Sequence, residues 1–397
     1  MRGPSKWAHL QWGLAVLCLW GCAADLSAQT PGITDKEIAI GSCAALEGPS
    51  AFLGRETVVG AETYFAMVND AGGVNGRKIR LHAFDDSYDP AKTQECWDKA
   101  MAQKVFAMGF FVGTPTAVKY VPLAESNGVP LVGLFTGAQT LYQPLRHWVI
   151  NVRASYFDET REQIDGLWNV LGYKKIGVIY PDDPFGAAVL EGVQAALKAH
   201  GAEPIAVASY PRQSAQVGKA IDTVRAANPD AVVVVGPSNT VTPILKQAHA
   251  KGWKPLFSTV SFVGTDELIS VAGEDAEGVV ITQVVPPYYL TDLKAVKLYR
   301  GALQKFSPGV QPNFVSFEGF VDAMVLVEGL KRAGKELTRE GLIRGIESIH
   351  ELDIGLGPQL KLDYSPKDHK GFDHVVPTVV RGGRAVPFTD WSMVAPK

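Results

Sequence analysis

Side chains that could carry out covalent chemistry are scattered along this sequence without the spacing of a reaction centre. The GxxxxGK[ST] phosphate loop, the GxSxG nucleophile motif, the HExxH zinc motif and GxGxxG are all absent. His369 and His374 lie in a polar turn rather than on one face of a helix. The acid pairs Asp85-Asp86 and Asp182-Asp183 each follow a predicted strand and precede a proline-started helix, so they are typical helix caps. We therefore expect no enzymatic activity, no metal site and no cofactor.

Four polar or glycine-rich loops are better candidates for a site that binds without reacting. Each is more often an ordinary helix cap when it occurs alone, but all four follow predicted strands. Ligands of open α/β sheets bind at the carboxyl ends of the strands, where hydroxyls and helix N-termini offer donors to an anion. The four loops are Leu46–Gly54, Gly113–Thr116, Phe135–Ala138 and Ser238–Thr240.

Strands and helices alternate in two successive series, and these elements must position the loops. Continuous apolar runs such as Val105–Val112 and Leu131–Phe135 are typical of parallel strands covered on both faces. Helices with apolar residues at helical spacing separate the strands, as in Ser155–Leu171. The other predicted strands are Lys36–Ala44, Lys78–Asp85, Ile176–Tyr180, Ile205–Tyr210, Ala231–Val235 and Pro255–Thr259. The pattern predicts an α/β protein with two doubly wound parallel-sheet lobes.

Three helices predicted after residue 290 have no strands of their own, so they must complete the two sheets already formed. The chain then crosses between the lobes more than once, which makes a multi-strand hinge with a cleft beside it. We assign residues 29–152 plus 285–365 to the first lobe, and residues 153–284 plus 366–397 to the second.

The N-terminus resembles an export signal. Arg2 and Lys6 precede an apolar run, Gly13–Ala24, that is too short to cross a bilayer as a helix. We predict a signal segment over residues 1–28 and a periplasmic location. Two processing routes stay open, which are cleavage after Ala28 and lipid attachment at Cys22.

The charge balance and the cysteines narrow the partners and the compartment. The chain has 38 Lys plus Arg against 41 Asp plus Glu, with no long run of either sign, so we expect no nucleic-acid partner. In an oxidising compartment Cys43 and Cys96 could pair, or they could remain two buried small hydrophobes.

From about Ile33 to Phe388 the chain resembles the type I periplasmic solute-binding proteins of ABC importers, in the leucine/isoleucine/valine-binding branch. The resemblance implies the type I periplasmic binding protein fold. It also implies a monomer that captures a small-molecule ligand and delivers it to an ABC permease in the inner membrane. The segments that carry it are Glu47-Gly48-Pro49, Gly60-Ala61, Asn69–Gly76, Asp85-Asp86, Asp89-Pro90, Asp183–Gly186, Ala276-Glu277-Gly278 and Gly371-Phe372-Asp373.

Matching these motifs residue by residue implies where a ligand would be held. In the family, one lobe binds an amino acid's carboxylate through hydroxyls and backbone N–H groups, and the other lobe closes over it. The ligand-binding residues predicted for this chain are Leu53, Thr114, Phe135, Thr136, Gly137, Tyr156, Phe185, Ser238, Ser261 and Tyr288.

One departure from the family bears on the ligand. Amino-acid binders of this branch place an acid at the position of Ser261 to hold the ammonium group, whereas Thr259–Gly264 contains no acid. A buried ammonium without a counter-charge is costly. The sequence therefore favours an ammonium-free ligand such as an aromatic or branched carboxylic acid. A branched-chain or other amino acid is the alternative ligand, and a ligand sensor on the same fold is the alternative role.

Overall fold

A computed structural model describes Gly3 and residues 30–395, and these form two sheets flanked by helices. The first sheet has the order β2-β1-β3-β4-β5 and all its pairings are parallel. Its chain runs through β1 (Glu37–Ala44), α1 (Ala51–Asp70), β2 (Lys78–Asp85), α2 (Thr93–Ala102), β3 (Ala107–Gly109), α3 (Thr114–Asn127), β4 (Leu131–Val132) and β5 (Val149–Ile150). We refer to this sheet and the helices packed on it as the first lobe.

The second sheet, with its helices, is the second lobe, and its strand order is β12-β11-β10-β9-β8-β6-β7. Its chain runs through α4 (Tyr156–Asp165), β6 (Ile176–Pro181), α5 (Pro184–Ala199), β7 (Ala206–Tyr210), α6 (Gly218–Ala226), β8 (Ala231–Val234), α7 (Ser238–Ala250), β9 (Leu256–Thr259), α8 (Thr265–Ala272) and β10 (Val280–Gln283). Three further helices follow, α9 (Lys294–Phe306), α10 (Phe314–Ala333) and α11 (Arg339–Glu347), and then β11 (Val376–Arg381) and β12 (Arg384–Pro387). As expected, α9 to α11 complete a lobe already formed, because α10 packs on α1 of the first lobe.

Two details of the predicted α/β architecture are corrected. The second sheet is not wholly parallel, since β11 pairs antiparallel with β10 and with β12. Gly382 and Gly383 both adopt positive φ in the tight turn between β11 and β12, and a hairpin turn of this kind joins antiparallel strands. The apolar run Val105–Val112 yields a strand of only three residues, because Phe110 takes a left-handed φ of 64° and ends the regular pairing.

The predicted helix over 155–171 also differs from the structure. α4 ends at Asp165, and a π-helical turn, Gly166–Val170, follows it. The indole of Trp391, from the C-terminal segment, packs against Gly166 and donates from Nε1 to Glu162 at 3.0 Å. This tertiary contact lies far away in sequence, so helical periodicity could not predict it.

Cys43 and Cys96 form a disulfide, with Cα atoms 6.0 Å apart. It joins the carboxyl end of β1 to α2, and both residues are buried. Of the two alternatives that the sequence left open, the structure contains the bridge.

Segments that cross between the lobes lie side by side. The amide of Gly371 donates to the carbonyl of Asn151 at 2.9 Å, and that of Phe372 donates to Val152 at 2.9 Å. Such pairing predicts a hinge, and the residue boundaries of the two lobes stay a prediction. The signal segment and Cys22 lie outside the described residues. Within the described part of the chain, no helix is long and apolar enough to span a membrane.

Candidate functional site

Three predicted hydroxyls meet at the carboxyl edge of the first sheet. The Oγ atoms of Thr114 and Thr136 are 2.7 Å apart, and the Thr136 Oγ is 3.3 Å from the hydroxyl of Tyr156. Thr114 begins α3, Thr136 follows β4 and Tyr156 begins α4. The carbonyl of Gly137 accepts from the amide of Tyr156 at 2.7 Å, which ties α4 to this edge. The structure thus brings four of the predicted residues into one donor-rich corner.

Aromatic side chains form the wall next to these hydroxyls. The ring of Phe262, from the second lobe, is central, with centroid distances of 5.5 Å to Phe135, 4.5 Å to Phe185 and 5.8 Å to Tyr88. Tyr156 in turn packs on Phe185 at 5.4 Å. All five rings are buried, so both lobes contribute to one aromatic cluster beside the hydroxyl corner.

Ser261 lies next to an acid that its own sequence segment does not contain. Glu159, on α4, is fully buried and accepts from the amide of Ser261 at 2.7 Å and from its hydroxyl at 2.9 Å. The hydroxyl of Thr282 on β10 donates to the same carboxylate at 2.7 Å. A carboxylate is therefore hydrogen-bonded to Ser261, although the segment Thr259–Gly264 contains no acid.

Arg153 balances that carboxylate and joins the two lobes. Its Nη2 lies 3.1 Å from Glu159 and donates to Ser261, while its Nη1 lies 3.1 Å from Glu318 on α10 of the first lobe. Its guanidinium also sits 5.1 Å from the ring centre of Phe135. Burial acts to lower the pKa of Arg153, but Glu318 and Glu159 outweigh it and raise that pKa, so the side chain stays charged.

Burial disfavours the charged form of the nearby acids and therefore raises their pKa values. Burial raises the pKa of Glu159, and the Arg153 charge partly offsets that rise. Burial likewise raises the pKa of Glu318 to about 7. Burial, followed by the charge of Glu318, raises the pKa of the neighbouring Asp322 well above its ordinary value. One buried cation is thus paired with two buried acids and has a third, Asp322, nearby, and the three acids cannot all be ionised together at low cost.

Sequence reasoning missed Tyr88 and Arg212, which contact each other from opposite lobes beside this aromatic cluster. The guanidinium of Arg212 lies 4.5 Å from the ring centre of Tyr88 and donates to its carbonyl. Arg212 also pairs with Asp183, the N-cap of α5, at 3.1 Å. The one sequence signal that could have indicated Tyr88 is its position between the motif segments Asp85-Asp86 and Asp89-Pro90.

The remaining predicted residues lie around this site rather than within its contacts. Leu53 is buried, and a Cβ added at Gly264 would approach it to 2.9 Å, which places it against the second lobe. The hydroxyl of Ser238 donates to Glu267, and that of Tyr288 donates to Asp266 at 2.8 Å. The described contacts do not join Ser238 or Tyr288 to the hydroxyl corner.

Comparisons with known proteins agree with this architecture. The profile of the family described as "Periplasmic binding protein" matches residues 37–384. An "Amino acid binding protein" of Pseudomonas aeruginosa is 24% identical over 75% of this chain and 79% of its own length. The "Leu/Ile/Val-binding protein" of Escherichia coli K12 is 22% identical over 62% of this chain and 68% of its own length.

Solved structures extend the similarity to the whole fold. A possible leucine/isoleucine/valine-binding protein from Rhodopirellula baltica has a TM-score of 0.86 and 30% identity, and the match covers 93% of this chain and all of that one. A fatty acid ABC transporter substrate-binding protein from Thermomonospora curvata has a TM-score of 0.83 and 23% identity over 91% of this chain and 94% of that one. The predicted family and fold class are confirmed: the chain belongs to the periplasmic binding protein family and is similar to that family's Leu/Ile/Val-binding proteins.

Proposed function

We propose that the chain captures a small carboxylic acid without an ammonium group in the cleft between its lobes and delivers it to an ABC permease. The hydroxyls of Thr114, Thr136 and Tyr156 supply donors for the carboxylate, and the rings around Phe262 supply apolar surface. An aromatic or branched acid has both features. The predicted site residues, the lobe boundaries, the monomeric state and the export of the protein are part of the same proposal.

The state of Glu159 is the observation that carries the proposal. A carboxylate has about four lone-pair positions. Here Oε1 accepts from Arg153 and the Ser261 hydroxyl, and Oε2 accepts from the Ser261 amide and Thr282. A carboxylate with four donors, one of them cationic, has neither a free acceptor nor a free charge for a ligand's ammonium group.

An amino acid is the second candidate, and one observation favours it. Oδ2 of Asp322 is buried and has no hydrogen-bond partner among the described residues, and the buried Oε1 of Glu318 has only its ion pair with Arg153 at 3.1 Å. An ammonium group that reached these oxygens would find acceptors there. The names of the relatives point the same way, since one is an "Amino acid binding protein" and another structure of this fold holds bound valine.

Matched ligands that differ only in the α-amino group separate the two candidates. Isothermal titration calorimetry should compare 3-phenylpropanoate with phenylalanine, and 4-methylpentanoate with leucine. We expect at least one of the two acids to bind tenfold or more tightly than its amino acid, because burying an unpaired ammonium is costly. If neither acid binds more tightly than its amino acid and phenylalanine or leucine binds, the ammonium-free assignment is overturned and amino-acid binding takes its place.

A further inference from the structure

Tyr88 is held inside the cleft by an unusual local structure. Ser87 and Tyr88 have φ values of 51° and 56°, a left-handed conformation that non-glycine residues rarely adopt. Oδ1 of Asp86 accepts from the amide of Tyr88 at 2.8 Å, and Oδ2 accepts from the hydroxyl of Tyr120 at 2.9 Å. These contacts fix the loop so that the phenol ring points inward and is only 1% exposed.

Gly113 shows where the phenol end of that ring lies. A Cβ added to Gly113 would be 2.0 Å from Cε2 of Tyr88 and 2.6 Å from its Cζ. Only a glycine, here with φ of +87°, leaves room for the ring. Gly113 immediately precedes Thr114, the first residue of α3, so the hydroxyl of Tyr88 lies beside the N-terminus of this 14-residue helix.

The hydroxyl of Tyr88 makes no hydrogen bond of normal geometry within the described part of the chain, although the residue is buried and the side chains of Arg212 and Asp183 lie near it. Buried hydroxyls are nearly always paired, and an unpaired one is costly. The contacts of Asp86 and Gly113 nevertheless hold it in place. Such a group is expected where a ligand completes the hydrogen bonding.

We infer that Tyr88 is a ligand-binding residue whose hydroxyl donates to the carboxylate of the bound acid at the N-terminus of α3, beside Thr114. The inference rests on the proposed function, because it adds one donor to the same anion site. It also gives the cleft a donor from the loop after β2, in which the matching of family motifs predicted no ligand-binding residue.

Arg212 gives this contact a second role. Its guanidinium, from the second lobe, covers the ring of Tyr88 and donates to its backbone carbonyl. A carboxylate bound by the Tyr88 hydroxyl therefore lies on the same residue that the second lobe holds. Tyr88 would thus contact the bound anion through its hydroxyl and the second lobe through its ring and carbonyl.

The test compares Tyr88→Phe with Tyr299→Phe, which removes a buried hydroxyl that is 2.6 Å from Ser316 in the first lobe. Calorimetry should measure whichever member of each matched ligand pair binds the wild-type protein more tightly. Hydrogen bonds to charged groups predict a loss of about ten- to a hundredfold in affinity for Tyr88→Phe. Tyr299→Phe should stay within twofold. The melting temperature of unliganded Tyr88→Phe should hold or rise, because the lost hydroxyl had no partner.

The outcomes distinguish this inference from the proposed function. If phenylalanine binds better than 3-phenylpropanoate but Tyr88→Phe still weakens it, the ligand class is wrong and the Tyr88 contact stands. If 3-phenylpropanoate is preferred but Tyr88→Phe stays within twofold of the wild type, the Tyr88 contact is wrong. An equal loss in Tyr299→Phe, or no binding of any of the four ligands to the wild type, would also overturn it.

Discussion

Glu318 should make the stability of the protein fall as the pH rises towards 8. Burial raises its pKa from an ordinary 4.5 to about 7, and Arg153, Glu159 and Asp322 are the charged groups that face it. Between these two pKa values the folded protein holds a proton that the unfolded chain has lost. Stability therefore decreases with increasing pH across this window.

The size of the effect follows from that difference in pKa. Each pKa unit corresponds to about 1.4 kcal/mol, so a carboxyl shifted this far loses about 2 to 3 kcal/mol of unfolding free energy between pH 5 and pH 8. Glu318→Gln cannot lose a proton and should remove this part of the pH dependence. Any cost of the amide itself is the same at both pH values, so the difference between them isolates the titration.

Urea unfolding at pH 5 and pH 8 measures this difference directly. The exposed Glu203→Gln variant is a matched control, and it should retain the full pH dependence of the wild type. If Glu318→Gln loses as much stability as the wild type between the two pH values, Glu318 does not hold the proton in the folded protein. The description of a buried cation shared by competing acids would then be wrong.

Three further outcomes are expected. Replacing Cys43 and Cys96 by Ala opens a loop of 53 residues and should lower the unfolding free energy by about 4 kcal/mol in the chain-entropy model, measured by urea unfolding; an unchanged midpoint would contradict this. Gly113→Ala strains a left-handed glycine and pushes on the ring of Tyr88, so calorimetry should show ligand affinity falling at least tenfold. Arg153→Met leaves two buried carboxylates unpaired and should cost about 3 to 5 kcal/mol in urea unfolding at pH 8, with a smaller loss at pH 5.

The sequence was sufficient for the elements whose signals are local. Strand Lys78–Asp85 matches its predicted bounds, and α10 begins one residue after the helix Asn313–Ala333 that the sequence predicts, because alternation and helical spacing lie within a short window. The strand over Val105–Val112 was too long, since the left-handed backbone of Phe110 ends the regular pairing and leaves no mark in hydropathy. The β11–β12 hairpin was not predicted although Gly382-Gly383 is a recognisable turn, because Pro377 and Pro387 interrupt the flanking apolar runs and weaken their strand signal.

The residues of the candidate site also divide into those that the sequence could predict and those that depend on contacts distant in sequence. Thr114 and Thr136 were predicted from loops that follow strands at the same sheet edge, whereas Tyr156 was predicted only from the family resemblance. Glu159 and Ser261 were not connected, because 102 residues separate them and only the packing of α4 on the second lobe brings them into contact. Tyr88 was missed for a different reason, since its inward orientation depends on a positive φ that tyrosine rarely adopts.

The contact between Glu159 and Ser261 changes the physical reason for expecting an ammonium-free ligand. Although Thr259–Gly264 contains no acid, Glu159 places a carboxylate next to Ser261. The absence of an acid from that segment therefore does not by itself exclude an ammonium group. What replaces it is saturation, because the Glu159 carboxylate already accepts from Arg153, Ser261 and Thr282. A carboxylate whose acceptor positions are all occupied and whose charge is paired is not available to a ligand. We therefore expect the polar groups that remain unpaired, rather than the charged residues present, to set which ligand the proposed site selects.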